Sequence, residues 1–265
     1  MNKVITSTSN PFIKRLLSLQ KKSKQRKAEG EFVIEGPQEL RLAIEAGYAI
    51  RQILICPEIA GTTEYLYQNT IELIEISKAV YQKLAYRSTT GGLIGVAAPR
   101  RLTLSDLKFK TSNPLILIAE APEKPGNIGA LLRTCDAAQA DALIIANPKT
   151  DLYNPNIIRS SVGTVFTNQI ALGTTSEIID YLKHNHIQIF AAALQESKSY
   201  VEQNFKVATA IVVGTEHEGL SEQWRTHANQ IIKIPMEGKV DSLNVSVSAA
   251  ILIFEAKRQR QKTRP

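Results

Sequence analysis

The sequence predicts an α/β fold, and three observations carry that prediction. Short apolar runs rich in Ile, Val, Leu and Ala recur along the 265 residues and have the pattern of buried, mostly parallel strands. Segments with apolar residues at helical spacing alternate with them. A polar stretch from Pro99-Arg100-Arg101 to Pro114 breaks this alternation, which places a linker at 99–113 between a first domain, 1–98, and a second, 114–265.

In the first domain, Pro11 opens an amphipathic helix in which Ile13, Leu16, Leu17 and Gln20 share a face while Lys14 and Arg15 point elsewhere. EFVIEG (31–36) follows as a strand and QELRLAIEAG (38–47) as a helix. RQILICPE (51–58), IELIEIS (71–77) and GGLIGVAAP (91–99) complete the strands. The second domain starts with LILIAEAP (115–122), a buried-strand pattern. A helix follows, with Ile128, Leu131, Leu132, Cys135 and Ala138 on one face and Asn127 at the N-cap position. ALIIAN (142–147), QIALG (169–173), IQIFAAAL (187–194), AIVVGTE (210–216) and QIIKIP (230–235) are further strands. SEIIDYLKHN (176–185), SEQWRTHAN (221–229) and the segment after Asn244 are helices.

Lys and Arg outnumber Asp and Glu by 32 to 25, and the excess sits at the two ends. Residues 1–30 hold eight basic side chains against Glu29 alone, and 257–264 hold five against none. The carboxyl-terminal cluster reads as a solvated helix end and tail. The run KKSKQRK (21–27) packs five like charges into seven residues, which repel one another and gain from a polyanion. Cys56 and Cys135 lie far apart among apolar neighbours and read as reduced core thiols of a cytosolic protein. The sequence shows no signal peptide, no apolar run long enough for a membrane span, and no metal-ligand spacing among its His, Cys and carboxylates. The expectation is therefore a cytoplasmic protein with neither membrane nor metal.

Three segments depart from plain packing. In PGNIGALLRT (125–134), Arg133 on a helix that begins near Asn127 suits an anion, because helical side chains lean toward the amino terminus; by itself it also reads as a surface Arg and an ordinary cap. In IVVGTEHEGLSEQ (211–223), a strand ends at Gly214, and Glu216 and Gly219 precede a helix capped by Ser221. That puts backbone amides and a carboxylate where open α/β sheets bind ligands. His217 reads as a loop histidine. In IPMEGKVDSLNVSVSAAILIFEAKRQR (234–260), either Ser242 or Asn244 caps the last helix. Val245, Ser248, Ala249, Leu252, Ile253 and Ala256 form its buried stripe, and the small residues Ser246, Ser248, Ala249 and Ala250 permit close approach. Capping and packing leave that polar entrance unexplained, and no glycine-rich phosphate loop accompanies it.

In this order the three segments resemble the motif set of the SpoU (TrmH-like) family of RNA 2′-O-ribose methyltransferases, of the SPOUT superfamily. The stretch from ITSTSNPFIKRLLSL through FVIEG resembles the small ribosomal-protein-like α/β domain with which many members bind substrate. The resemblance implies an open parallel sheet with a deep trefoil knot in the carboxyl-terminal domain, the loop from Met236 to Leu243 passing through another loop. S-adenosylmethionine would lie bent in the resulting cleft, touching Gly214, Ile234 and Leu243, with Leu194, Met236 and Asn244 as neighbours. Arg133 would hold the adjacent phosphate and stabilise the developing alkoxide, while Asn127, Glu216, Ser242 and Asn244 position the ribose, Arg133 and the cofactor loop. Members of the family are homodimers that share residues between sites. Lys14, Arg15, Lys21, Lys22, Lys24, Arg26 and Lys27 would dock structured RNA by its phosphates, with rRNA favoured over tRNA. The alternative is a non-catalytic RNA-binding or ribosome-assembly protein that retains the fold.

Overall fold

The computed structural model describes residues 3–61, 71–86, 91–215, 218–239 and 242–261. The chain divides into two compact units, residues 1–101 with 151–167 and residues 102–150 with 168–265.

The first unit contains β1 (Lys3–Ile5), α1 (Pro11–Lys21), α2 (Ser23–Glu29), β2 (Phe32–Glu35), α3 (Pro37–Glu45), β3 (Ile50–Ile55), β4 (Glu72–Ile76), α4 (Lys78–Leu84) and β5 (Leu93–Ala97). Its sheet runs β1-β4-β3-β5-β2, parallel from β1 to β3 and antiparallel where β5 meets β3 and β2. At the start of α1, the Asn10 side chain accepts from the Phe12 amide at 2.9 Å, and Pro11 occupies the first helical position. The helix buries Ile13, Leu16 and Leu19. The expected stripe is thus shifted: Leu17 packs at its margin, and the Gln20 amide donates to the Leu84 carbonyl at 2.8 Å. A left-handed Gly30 (φ 59°) stops α2 and turns the chain into β2. The core gathers these side chains with Leu54, Ile74, Tyr81 and Ile94, and each such buried aliphatic contributes roughly 1.5–3 kcal/mol.

The second unit contains β6 (Leu115–Glu120), α5 (Pro125–Ala138), β7 (Ala142–Ala146), and, after a gap from 151 to 167, β8 (Ile170–Gly173). The gap itself carries α6 (Pro155–Ser160). There follow α7 (Thr175–His184), β9 (Gln188–Ala192), β10 (Lys198–Ser199), β11 (Thr209–Val213), α8 (Glu222–His227), β12 (Gln230–Lys233) and α9 (Val245–Arg260). The sheet order is β10-β12-β9-β11-β6-β7-β8, and every pair in it is parallel. Strands β6, β7 and β11 are buried along their whole length, as continuous apolar runs require. Because all strands point one way, their carboxyl ends share one edge, where ligands of open α/β sheets bind. Residues 102–113 lie within this unit, where the Leu102 carbonyl accepts from the Leu172 amide at 2.8 Å.

Two features have no local signature in the sequence. Residues 151–167 leave the second half to pack in the first unit, where Tyr153 stacks on Phe32 with ring centroids 4.3 Å apart. Arg260, expected in a solvated end, instead donates to the carbonyls of Phe205 and Asn113, both at 2.6 Å. Burial lowers the pKa of its guanidinium from the usual arginine value.

Candidate active site

The carboxyl ends of β9, β11 and β12 and the approach to α9 enclose a cavity of about 560 Å³. Leu194, Gly214, Ile234, Met236, Ser242 and Leu243 all line it, so the structure brings together residues spread over some fifty positions of chain. At Gly214 its wall is bare backbone. A Cβ on Gly214 would stand 2.2 Å from the carbonyl carbon and oxygen of Gly219, so only glycine lets the two strands of this loop close. Thr215 and Gly219 exchange both backbone hydrogen bonds, at 3.1 Å each, and Gly219 takes a left-handed φ of 67°.

A second cavity of about 180 Å³ adjoins the first, sharing Gly214, Thr215, Glu218 and Val245 as walls. Its other side is the start of α5. The sequence reading put Asn127 at the N-cap; the structure starts the helix earlier, with Lys124 at the cap and Pro125 at the first position. Asn127 therefore sits inside the first turn, and its Oδ1 accepts from Nδ2 of Asn244 at 3.3 Å. Asn244 is the cap of α9: its Oδ1 accepts from the Ser246 amide at 3.0 Å and from the Ser246 hydroxyl at 2.6 Å. Ser242 is thereby left exposed at the cavity wall rather than spent on capping.

Glu120, which sequence reasoning missed, ties the end of β6 to the starts of α7 and α8 beside the smaller cavity. It ends β6, lines the smaller cavity and is only 6 % exposed. Its carboxylate accepts from the Ser221 amide and the Ser221 hydroxyl, both at 2.8 Å, and from the Thr175 hydroxyl at 2.9 Å. Ser221 is the residue at the N-cap of α8, as expected, yet its hydroxyl serves Glu120 and not the helix. The only signal in the sequence was an acid closing an apolar strand, since its partners lie 55 and 101 residues away.

Arg133 is exposed on α5 and lines neither cavity. It stands six residues past Asn127, about 9 Å along the axis at the usual helical rise. The lean of its side chain does not bring it into the cavities of its own chain. Glu216 and His217 lie outside the described residues.

The basic helices divide into two kinds. Lys14, Lys21, Lys22, Lys24 and Lys27 are exposed. Arg15 is half-buried between Glu29, at 2.7 Å, and Glu31. Arg26 corrects the expectation of a phosphate contact, being 5 % exposed. It grips both carboxylate oxygens of Asp151, at 3.0 and 2.6 Å, and donates to the carbonyls of Leu19 and Gln20. Burial alone would raise the Asp151 pKa, but hydrogen bonds from Arg26 and Ser23 and the charges of Arg26 and Lys27 bring it below the ordinary value. Burial pushes the Cys135 thiol up to about 12, and that of Cys56 upward as well. Among the described residues no cluster of His, Cys, Asp or Glu could hold a metal ion, and no helix is long and apolar enough to cross a membrane.

Residues 114–254 match the SpoU rRNA Methylase family, and residues 10–95 match the MRM3-like substrate binding domain. A solved RNA 2′-O ribose methyltransferase is 41% identical and superposes with a TM-score of 0.84, covering 97% of this chain and 99% of its own. The SpoU methyltransferase AviRb from Streptomyces viridochromogenes, in complex with the cofactor AdoMet, is 26% identical with a TM-score of 0.86, over 95% of this chain and 98% of that one. The 23S rRNA (guanosine(2553)-2'-O)-methyltransferase RlmP of Bacillus subtilis is 27% identical over 95% of this chain and 98% of its own length. With one family match spanning more than half its length and a second on its first half, the chain belongs to the SpoU/TrmH family of RNA 2′-O methyltransferases and carries an MRM3-like substrate-binding domain.

Proposed function

We propose that this protein transfers the methyl group of S-adenosylmethionine to a ribose 2′-hydroxyl of ribosomal RNA. The observation that carries the reading is the pair of adjoining cavities walled by Gly214 and Thr215, with Asn127 lining the smaller one and hydrogen-bonded to Asn244. The larger falls within the roughly 300–1,000 Å³ typical of small-ligand sites. At Gly214, where a Cβ would collide with Gly219, the wall is bare peptide that can meet a nucleoside when no phosphate loop is present. Bound there, S-adenosylmethionine would supply an electrophilic methyl on a sulfonium whose departing thioether needs no proton.

Gly214, Ile234 and Leu243 would hold the donor by their backbone, with Leu194 and Met236 as its apolar walls and Ser242 and Asn244 fixing the loop. Asn127 and Glu216 would orient the ribose and the attacking hydroxyl. Arg133 would act electrostatically: its guanidinium holds the neighbouring phosphate and stabilises the developing alkoxide, the proton leaving to phosphate or water. Because Arg133 is exposed and away from its own cavities, we assign it to the cavity of a second copy, which makes the active species a homodimer. The family reading carries with it a trefoil knot in the carboxyl-terminal domain, with the loop from Met236 to Leu243, of which residues 240 and 241 lie outside the described residues, passing through another loop. The first unit, into which residues 151–167 also pack, would be the substrate-binding domain, and the second, which takes in residues 102–113 instead of leaving them as a linker, would be the catalytic one, with the protein working in the cytoplasm.

The names of the relatives favour large-subunit rRNA over tRNA as substrate. Transfer of tritiated methyl from S-adenosylmethionine to deproteinised rRNA tests the reading, with tRNA as the comparison. Incorporation into rRNA that disappears in Asn127→Ala supports it. RNA binding without incorporation into either RNA would replace it with a non-catalytic binder.

A further inference from the structure

Among the described residues of the first unit, one strongly exposed aromatic ring serves neither the core nor the proposed chemistry: Tyr86, 67 % exposed. It is nevertheless held. Both oxygens of the Glu35 carboxylate accept from its backbone amide, at 2.9 and 3.0 Å. The Arg159 guanidinium lies 3.7 Å from the ring centroid, and Arg159 is fixed in turn by donating to Asn156 Oδ1 at 2.8 Å. The end of α1 reaches the same place, since Gln20 donates to the carbonyl of Leu84, two residues before Tyr86. Exposed Lys21 and Lys22 follow Gln20 directly, and exposed Lys83 lies in the last turn of α4.

Stability does not account for this construction. An exposed cation–π contact is worth about 0.5–1 kcal/mol, whereas an Arg side chain carries about 2 kcal/mol of rotamer entropy to be lost. We propose that Tyr86 and Arg159 form a stacking platform for an unpaired base of RNA, at the edge of the lysine-lined surface of α1. The proposal rests on the RNA-methyltransferase reading and specifies its substrate further: a structured RNA that presents a single-stranded nucleotide. The phenol ring and the guanidinium plane accept the π-face of any base, and Lys21, Lys22 and Lys83 meet the flanking phosphates. Lysines alone read charge and take duplex as readily as loop. A platform selects the loop.

The test uses the full-length chain with Tyr86→Ala, Tyr86→Phe and Arg159→Gln. Affinities are measured for a short unstructured oligoribonucleotide and for a blunt RNA duplex of equal length, over a range of salt. Tyr86→Ala should bind the single strand about tenfold more weakly while leaving the duplex unchanged. The salt slope should stay as in wild type, because stacking releases no counterions. Tyr86→Phe should bind as wild type, and Arg159→Gln should lose affinity for the single strand. Unchanged single-strand affinity in Tyr86→Ala overturns the platform, and if wild type still methylates rRNA the enzymatic reading survives without it. Equal losses on both probes together with a lowered melting temperature also overturn it, in favour of a structural role. Unchanged RNA affinity with lost co-sedimentation on ribosomal particles overturns it in favour of a protein contact. Wild type binding neither probe overturns the platform, and the enzymatic reading then stands or falls on methyl transfer to rRNA.

Discussion

The cavity beside β9, β11 and β12 and the basic surface of α1 and α2 are built on opposite terms. The first is lined largely by small and apolar residues, and its critical residue is a glycine whose missing Cβ lets Gly219 approach. The second is made of side chains, and it is smaller than its composition implies because Arg26 and much of Arg15 are engaged inside the fold. Charge counts therefore overstate one region, while residue types understate the other. Arg133 completes the contrast: it is a cation left exposed beside a site it does not line.

That contrast is broken most severely at Arg133. Arg133→Ala should lower methyl transfer by about 100- to 1,000-fold, the loss typical of removing one charge-stabilising donor. Its uptake of S-adenosylmethionine, followed by calorimetry, should match wild type. Mixing Arg133→Ala with Gly214→Ala should restore part of the activity if the Arg serves a neighbouring copy's cavity. No recovery, with mixed dimers verified, removes the assignment across the dimer.

The Arg26–Asp151 pair is the next largest effect. Asp151→Asn leaves a buried guanidinium without its countercharge and should destabilise the protein by about 3 kcal/mol in urea unfolding. RNA affinity at temperatures where the variant stays folded should hardly move, which separates this cation from the exposed lysines. A loss of affinity with unaltered stability would return Arg26 to the RNA surface.

Gly214→Ala sharpens the cavity side. A methyl 2.2 Å from the Gly219 carbonyl forces the loop apart. Displacement of about 1 Å at a reacting centre can cost about 100-fold, so methyl transfer should fall by about that factor. Uptake of S-adenosylmethionine should weaken as well, unlike in Arg133→Ala.

These cases show what a single sequence makes legible. The strands of the second unit were readable because burial on both faces leaves unbroken apolar runs, as in LILIAE and AIVV. Helix α9 was readable from its stripe, of which Val245, Ala249, Leu252, Ile253 and Ala256 are buried. The start of α5 was misplaced because Asn127 resembles a cap, while Pro125 competes for the first position and wins. Glu120, Asp151 and Arg260 could not be read, since each acquires its meaning from partners far along the chain. The three residues of β1 carry too little periodicity to be told from a loop.

On the basic surface, Lys21→Ala with Lys22→Ala should weaken binding to rRNA evenly, whatever its sequence. The slope of log affinity against log salt should flatten by about 1 for each phosphate contact removed. Arg26→Lys should leave that slope alone. Equal slopes in all three proteins would mean that α1 and α2 do not face the phosphates.

The smallest effect is a pH dependence, and its sign follows from Asp151. Folding places its pKa below the ordinary 3.8, so the unfolded chain binds this proton more readily than the folded one. The pair's contribution to stability is therefore complete above about pH 4 and is lost as the pH falls from 3.8 through the folded value. Raising the pH from neutrality leaves it unaffected, because the carboxylate is already ionised in both states. Asp151→Asn has no proton to take up there, so its urea midpoint should fall less steeply than that of wild type over the same acid range. Parallel acid limbs would show that Arg26 holds Asp151 no more tightly in the folded chain than water does in the unfolded one.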